Sequence, residues 1–143
     1  MRIAIINGPN LNLLGKREPE IYGSKSFETF LEELQRKYPE HEIAYFQSNV
    51  EGEIINALQN EGFSGKTTGI VLNPAGYSHT SIAIADAVKA VPIPVIGVHI
   101  SNIYARETER HTDLIAAYST AIILGMGLKG YELAVDYLLN QSE

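Results

Sequence analysis

Ile3-Ala4-Ile5-Ile6, stopped at once by Asn7-Gly8-Pro9-Asn10, decides the fold class. An uninterrupted apolar, largely β-branched run without polar alternation describes a strand covered on both faces, as in a parallel sheet, and the amide-glycine-proline cluster ends it. Runs of the same kind recur at Ile43-Ala44-Tyr45-Phe46, Gly69-Ile70-Val71-Leu72, Val95-Ile96-Gly97-Val98-His99-Ile100 and Ala121-Ile122-Ile123-Leu124. Between them the period becomes helical. Phe27, Phe30, Leu31 and Leu34 mark a helix opened by Ser26 and ended before Pro39; Val50, Ile54, Ile55 and Leu58 mark another, stopped near Gly62. Ile82, Ile84, Ala85 and Val88 mark a third, opened by Thr80 or Ser81 and closed before Pro92, and Leu128, Leu133, Val135 and Leu138 mark the last. Strands alternating with helices predict one doubly wound α/β domain over residues 1–143. Five parallel strands suit the flavodoxin-like order 2-1-3-4-5 with helices on both faces, the fourth crossover being irregular around residues 102–117.

Composition fits that domain and narrows its partners. The chain has 143 residues, 45% of them hydrophobic, and no Cys, so disulfides, thiol nucleophiles, Cys-ligated zinc and iron–sulfur clusters are excluded together. Seventeen Asp and Glu against 11 Lys and Arg give a net charge of -6, which argues against nucleic acid or an anionic membrane as partner. No apolar run approaches the ~20 residues that span a bilayer, and the first residues lack a signal-peptide layout, so the expected location is cytoplasmic. Asn140-Gln141-Ser142 matches a glycosylation sequon by chance on that view.

In this strand order ligands sit beyond the carboxyl ends of strands one, three and four, which directs the search to three loops. The first runs from Asn7 to Lys25, far beyond the about 2–6 residues usual for such a connection. It carries Asn10, Asn12, Arg17 and Tyr22, with Gly15 and Gly23 as candidate hinges of a lid over about residues 15–25; a plain surface excursion is the alternative. The second, Asn73-Pro74-Ala75-Gly76-Tyr77-Ser78-His79, places an amide and a histidine before a helix start that favours an anion, or else is a capping turn. The third, from His99 to Arg110, concentrates His99, Ser101, Asn102, Arg106 and Arg110. The i, i+4 spacing puts both arginines on one side of a helical turn, where the competing reading pairs them with Glu107, Glu109 or Asp113 on a solvated face.

Several chemistries are missing their signatures. No helical zinc pair, G-x-G-x-x-G fingerprint, P-loop or G-x-S-x-G elbow is present, and strand one ends in Asn7-Gly8 rather than the acids of a phosphoreceiver, so no metal or cofactor is expected. What remains is proton transfer by His and Tyr, with Arg and Asn holding a small anionic polyhydroxylated molecule.

With these residues assembled, the sequence resembles the type II 3-dehydroquinate dehydratases from Ile3 to about Leu139. Its landmarks are Ile6 to Gly15 with Arg17-Glu18-Pro19 and Ile21-Tyr22-Gly23, then Gln47-Ser48-Asn49, Leu72 to Ser81, Val98 to Asn102, Arg106-Glu107, and Gly125-Met126-Gly127 before Gly130-Tyr131. The resemblance implies anti elimination of water from 3-dehydroquinate through an enolate to 3-dehydroshikimate, in the shikimate pathway to chorismate and the aromatic amino acids. It implies Tyr22 as base and His99 as acid, Arg17 beside Tyr22 with Arg106 near it, and Asn10 holding a water against the enolate oxygen. By the same carry-over Asn73 and the backbone of Ile100 and Ser101 hold the substrate carboxylate, and His79 and Arg110 contact ring hydroxyls. Asp86 reaches a neighbouring subunit's site in a homododecamer, a tetramer of trimers.

The chain departs from the family pattern in two places. Many relatives have Glu where this chain has Gly97, so if that carboxylate orients the imidazole, another group must do so here; and a position often basic is Ala85, beside Asp86. A catalytically silent flavodoxin-like anion-binding or scaffold module is the reading Gly97 favours, and an enzyme for a related cyclic hydroxy acid is a third.

Overall fold

The computed structural model describes residues 1–141, with the side chain of Tyr22 outside the description, as are Ser142 and Glu143 of the chain's end. Strands β1 (Arg2–Asn7), β2 (Glu42–Gln47), β3 (Thr67–Asn73), β4 (Val95–His99) and β5 (Ala121–Leu124) form one parallel sheet in the order β2-β1-β3-β4-β5. This is the flavodoxin-like order expected from the alternation of periods. The apolar runs are buried because both faces are covered: Ile3, Ile5 and Ile6 of β1 and Ile70, Val71 and Leu72 of β3 are all fully enclosed. At about 1.5–3 kcal/mol for each such side chain, these central strands are the strongest part of the framework.

On one face α2 (Phe27–Lys37) and α5 (Lys129–Leu139) pack Phe27, Phe30, Leu34, Tyr131, Val135 and Leu138 against Ile3, Ile5 and Val71. On the other, α3 (Glu51–Gly62) and α4 (Ile82–Ala90) bring Ile54, Leu58, Ile84 and Val88 onto Ala4, Ile6, Ile70 and Leu72. Helix starts follow the sequence signals: the Ser26 hydroxyl accepts from Thr29 N–H and Ser81 from Ile84 N–H. The apolar faces are narrower than their spacing implied, for Val50, Ile82 and Leu133 are exposed. Ile82 stands two residues, about 200° of helical rotation, from Ile84, and so faces away from the sheet.

Two stretches depart from the sequence reading. Within the long first loop lies a one-turn helix, α1 (Pro19–Tyr22), started by Pro19 at its first position. The fourth crossover holds three short 3-10 turns, Ile103–Ala105, Thr108–Arg110 and Ala116–Tyr118. Arg106 lies between the first two with extended backbone, so Arg106 and Arg110 do not share a helical turn; their common direction comes from the path of the loop. Among the described residues no helix is long and apolar enough to cross a membrane.

Candidate active site

The carboxyl ends of β1 and β3 adjoin in register at Asn7 and Asn73, and the backbone beyond them is pressed together. Gly8 donates its N–H to the Asn73 carbonyl at 2.8 Å, and a Cβ on Gly8 would stand 2.5 Å from the Pro74 carbonyl oxygen, so only glycine fits. A buried knot locks the same point: the Tyr131 hydroxyl donates to Asn7 Oδ1 at 2.9 Å and accepts from Asn73 Nδ2 at 2.8 Å. Asn73 Oδ1 accepts from Ala75 N–H, which fixes the orientation of the amide and leaves the second Nδ2 hydrogen for a ligand. Burial pushes the Tyr131 phenol well above its ordinary pKa, against the hydrogen bond donated by Asn73, and keeps it neutral.

Beyond this knot the three loops enclose a cleft of about 640 Å³, its open mouth included, a size that suits a small molecule. The first loop contributes Asn10 and Arg17. Asn10 is in the left-handed region at φ 71° and donates its N–H to Asn49 Oδ1, while Gln47 Nε2 donates to the Gly8 carbonyl and to Asn49 Oδ1. The Gln47-Ser48-Asn49 motif therefore braces the loop that presents Asn10. Glu18 and Ala75 share that backbone region at φ 42° and 54°, so all the non-glycine residues of positive φ among those described lie at or next to the cleft. Such backbone costs of order 1–3 kcal/mol each and persists where the surroundings fix it. Gly15 and Gly23, at φ 89° and 82°, bracket Arg17 and α1. Tyr22 ends α1, but its side chain lies outside the described residues.

The second loop places His79 and the third His99, their rings nearly parallel with centroids 6.4 Å apart. His79 Nδ1 lies 2.7 Å from the Thr112 carbonyl, and since a carbonyl only accepts, Nδ1 carries the proton. His99 Nε2 lies 2.7 Å from Asp113 Oδ2, with both side chains buried. Asp113, read from the sequence as a partner for the arginines, faces the histidine instead. Ile100 and Ser101 continue the wall, and Ser101 Oγ accepts from Arg106. Gly125 and Gly127 donate to the carbonyls of His99 and Ile100 from backbone at φ 84° and 60°, the left-handed region that favours glycine in the Gly125-Met126-Gly127 motif. Arg110 lines the cleft and pairs with Glu107, as the solvated-face reading anticipated, and the Glu107 carboxyl is held below its ordinary pKa by a hydrogen bond from its own backbone and then by that from Arg110. The α4 start expected to favour an anion is capped by Ser81 from within the chain.

The structure thus brings Asn10, Arg17, Asn73, His79, His99, Ile100, Ser101, Arg106 and Arg110 to one cleft. Asp86 sits on the exposed side of α4 and does not line it. No group of three or more His, Asp or Glu able to hold a metal occurs among the described residues. Sequence reasoning missed the roles of Tyr131 and Asp113: each acts across the fold on residues far away in the chain, with no local signal of its pairing.

Comparison with known proteins gives a consistent result. A family model described as dehydroquinase class II matches residues 1–139. The chain is 49% identical over 140 residues to a 3-dehydroquinate dehydratase of Exiguobacterium sp., covering 97% of this chain and 94% of the relative. It is 50% identical over 144 residues to that of Fusobacterium nucleatum, covering 97% of each. The crystal structure of the type II dehydroquinase from Butyrivibrio crossotus superposes with a TM-score of 0.93 at 45% identity, covering 98% of both chains. A match across nearly the whole length, in sequence and in fold, shows that the chain belongs to the dehydroquinase class II family.

Proposed function

We infer that this protein is a hydro-lyase that converts 3-dehydroquinate to 3-dehydroshikimate, a step of the shikimate pathway to chorismate and the aromatic amino acids. The observation that carries the reading is the convergence of three arginines, two histidines and two asparagines on one cleft at the switch point of the sheet. In the proposed chemistry the Tyr22 phenolate takes the proton next to the ketone and the C–H electrons become an enolate. A water held by Asn10 meets the enolate oxygen. His99 then protonates the departing hydroxyl, the C–O bond breaks, and the enolate collapses to the conjugated enone as water leaves. Asn73 with the backbone of Ile100 and Ser101 receives the substrate carboxylate, and His79 and Arg110 meet ring hydroxyls.

A tyrosine base needs help, because a free phenol titrates near 10 and bringing it to 7 takes about 4 kcal/mol of preference for the phenolate. Arg17, five residues before Tyr22, with Arg106 across the cleft, is the source this reading assigns. Lysine would serve poorly at 17, lacking the planar fork and being more strongly hydrated. The same reading takes the lid over about residues 15–25 as mobile about Gly15 and Gly23, and the working form as a cytoplasmic tetramer of trimers. The exposure of Asp86 on α4 is compatible with reaching a neighbour's site there.

Purified protein in chelator should raise the absorbance of the conjugated enone from 3-dehydroquinate, and Tyr22→Phe should lose at least about a hundredfold in kcat while still binding a substrate-like carboxylate. No turnover by the natural chain would sink the reading. Near-normal turnover by the variant would remove Tyr22 as base.

A further inference from the structure

Alternate residues of a strand face the same way, so the side chain two before His99 would stand beside its imidazole on the α3–α4 face of the sheet. This chain has Gly97 there, and the space is already filled: a Cβ would stand 2.4 Å from Ile122 Cδ1 and 3.3 Å from Ile115 Cδ1. No carboxylate can enter from β4 without moving both isoleucines. One arrives instead from the fourth crossover. Asp113 places Oδ2 at 2.7 Å from His99 Nε2, with the two side chains 4% and 5% exposed. The carboxylate is itself held, for Oδ1 accepts from Ile115 N–H at 3.2 Å. Its neighbours tie the same segment to the turn after β3: Leu114 N–H donates to the Ser78 carbonyl at 2.8 Å, and the Thr112 carbonyl accepts from His79 Nδ1. Three consecutive residues, Thr112 to Leu114, thereby fix both histidines of the cleft.

We propose that Asp113 is the positioning residue for His99, supplying from the fourth crossover the carboxylate that β4, with Gly97 in that place, does not carry; the proposal rests on the dehydratase reading for its kinetic consequences. An ionised carboxylate only accepts, so Nε2 keeps its proton in both charge states of the ring. The reacting nitrogen is then Nδ1. His99 delivers the Nδ1 proton of an imidazolium to the leaving hydroxyl and is left as the neutral Nε2–H tautomer, still bonded to Asp113. Other charges bear on the ring: His79 faces it from the turn after β3, and Arg17, Arg106 and Arg110 line the same cleft and oppose a further positive charge. Asp113 offsets that opposition from within hydrogen-bond distance.

The test pairs kinetics with spectroscopy on the full chain. Asp113→Asn should lower kcat by about 10²–10⁴-fold with KM changed far less. A wild-type kcat, or a loss that falls mainly on KM, overturns the proposal. Solid-state 15N NMR of natural protein labelled at its four histidines needs no variant and should show neutral His99 protonated at Nε2, with His99→Gln giving the assignment. A bare Nε2 overturns the proposal even if the variant fails to fold. If the natural chain gives no turnover, the dehydratase reading falls and the NMR result alone decides the Asp113–His99 pairing.

Discussion

Tyr131→Phe tests whether the polar knot beneath the cleft does what its geometry implies. The ring is fully buried and packs edge-on against Phe27 at 5.0 Å between centroids, and phenylalanine keeps that packing. What disappears is one oxygen that donates to Asn7 Oδ1 and accepts from Asn73 Nδ2. Asn7 and Asn73 are themselves buried, so no water replaces the lost partner without rearrangement. A buried amide left unpaired costs about 1–3 kcal/mol, so two of them give roughly 2–6 kcal/mol. At about 2–4 °C per kcal/mol for a domain near this size, the melting temperature should fall on the order of 10 °C. The kinetic consequence separates this from plain destabilisation. Asn73 is held by Tyr131 on one side and Ala75 N–H on the other, so releasing one side should raise KM several-fold well below the melting temperature, with kcat less affected. The same change made in an Asn7→Ala background should cost less than in the natural chain, because one of its two acceptor–donor links is already gone. Scanning calorimetry and steady-state kinetics together decide the matter. A fall in melting temperature under about 2 °C would refute the ledger.

Two further outcomes follow from the same framework. Gly8→Ala should cost about 1–3 kcal/mol and at least tenfold in turnover, because the new methyl meets the Pro74 backbone rather than a yielding side chain, and urea unfolding alongside kinetics will show it; a variant like the natural chain in both would mean the loops slide freely. Stability should decline above pH 10: burial pushes the Tyr45 phenol up to about 12 and the Tyr131 phenol higher still, so the unfolded chain releases these protons first. That stabilisation is fully present below the free phenol value of about 10 and is lost as pH rises through the folded values, and a flat melting temperature from pH 9 to 12 would contradict it.

The strands and helix starts were legible because their signals are local. Ile3 to Ile6 needs only its own composition to read as a doubly covered strand, and Ser26 and Ser81 cap helices whose first turns follow at once. The switch point then followed from topology, and nine of the candidate residues line its cleft. Where local pattern misled, the chain's path had been assumed rather than read. The i, i+4 spacing of Arg106 and Arg110 presumes an α-helical turn, but the backbone is extended at Arg106, between two 3-10 turns, and Arg110 ends the second of them. Asp113 was illegible for a deeper reason: its partner is 14 positions away, on the far side of an irregular crossover with no period to project through it. Gly97 carried the only hint, as a place where something was missing.

The charged groups around the cleft fall into two kinds, and the difference bears on which ligands it accepts. Arg17 pairs with Glu18 and Arg110 with Glu107, contacts made at the rim by side chains that remain substantially open to water. Exposed pairs of this kind are worth about 0–1 kcal/mol, so an arriving anion can displace the glutamates at little cost. His99 with Asp113 is the opposite case, enclosed and braced by Ile115 N–H, where loss of one partner strands the other. The rim cations are therefore exchangeable and the inner pair is fixed. A ligand with one carboxylate and several hydroxyls can draw on the first while its reacting oxygen meets the second. A polyanion would need more unpaired positive charge than a chain of net charge -6, already answering its rim arginines with glutamates, puts within reach.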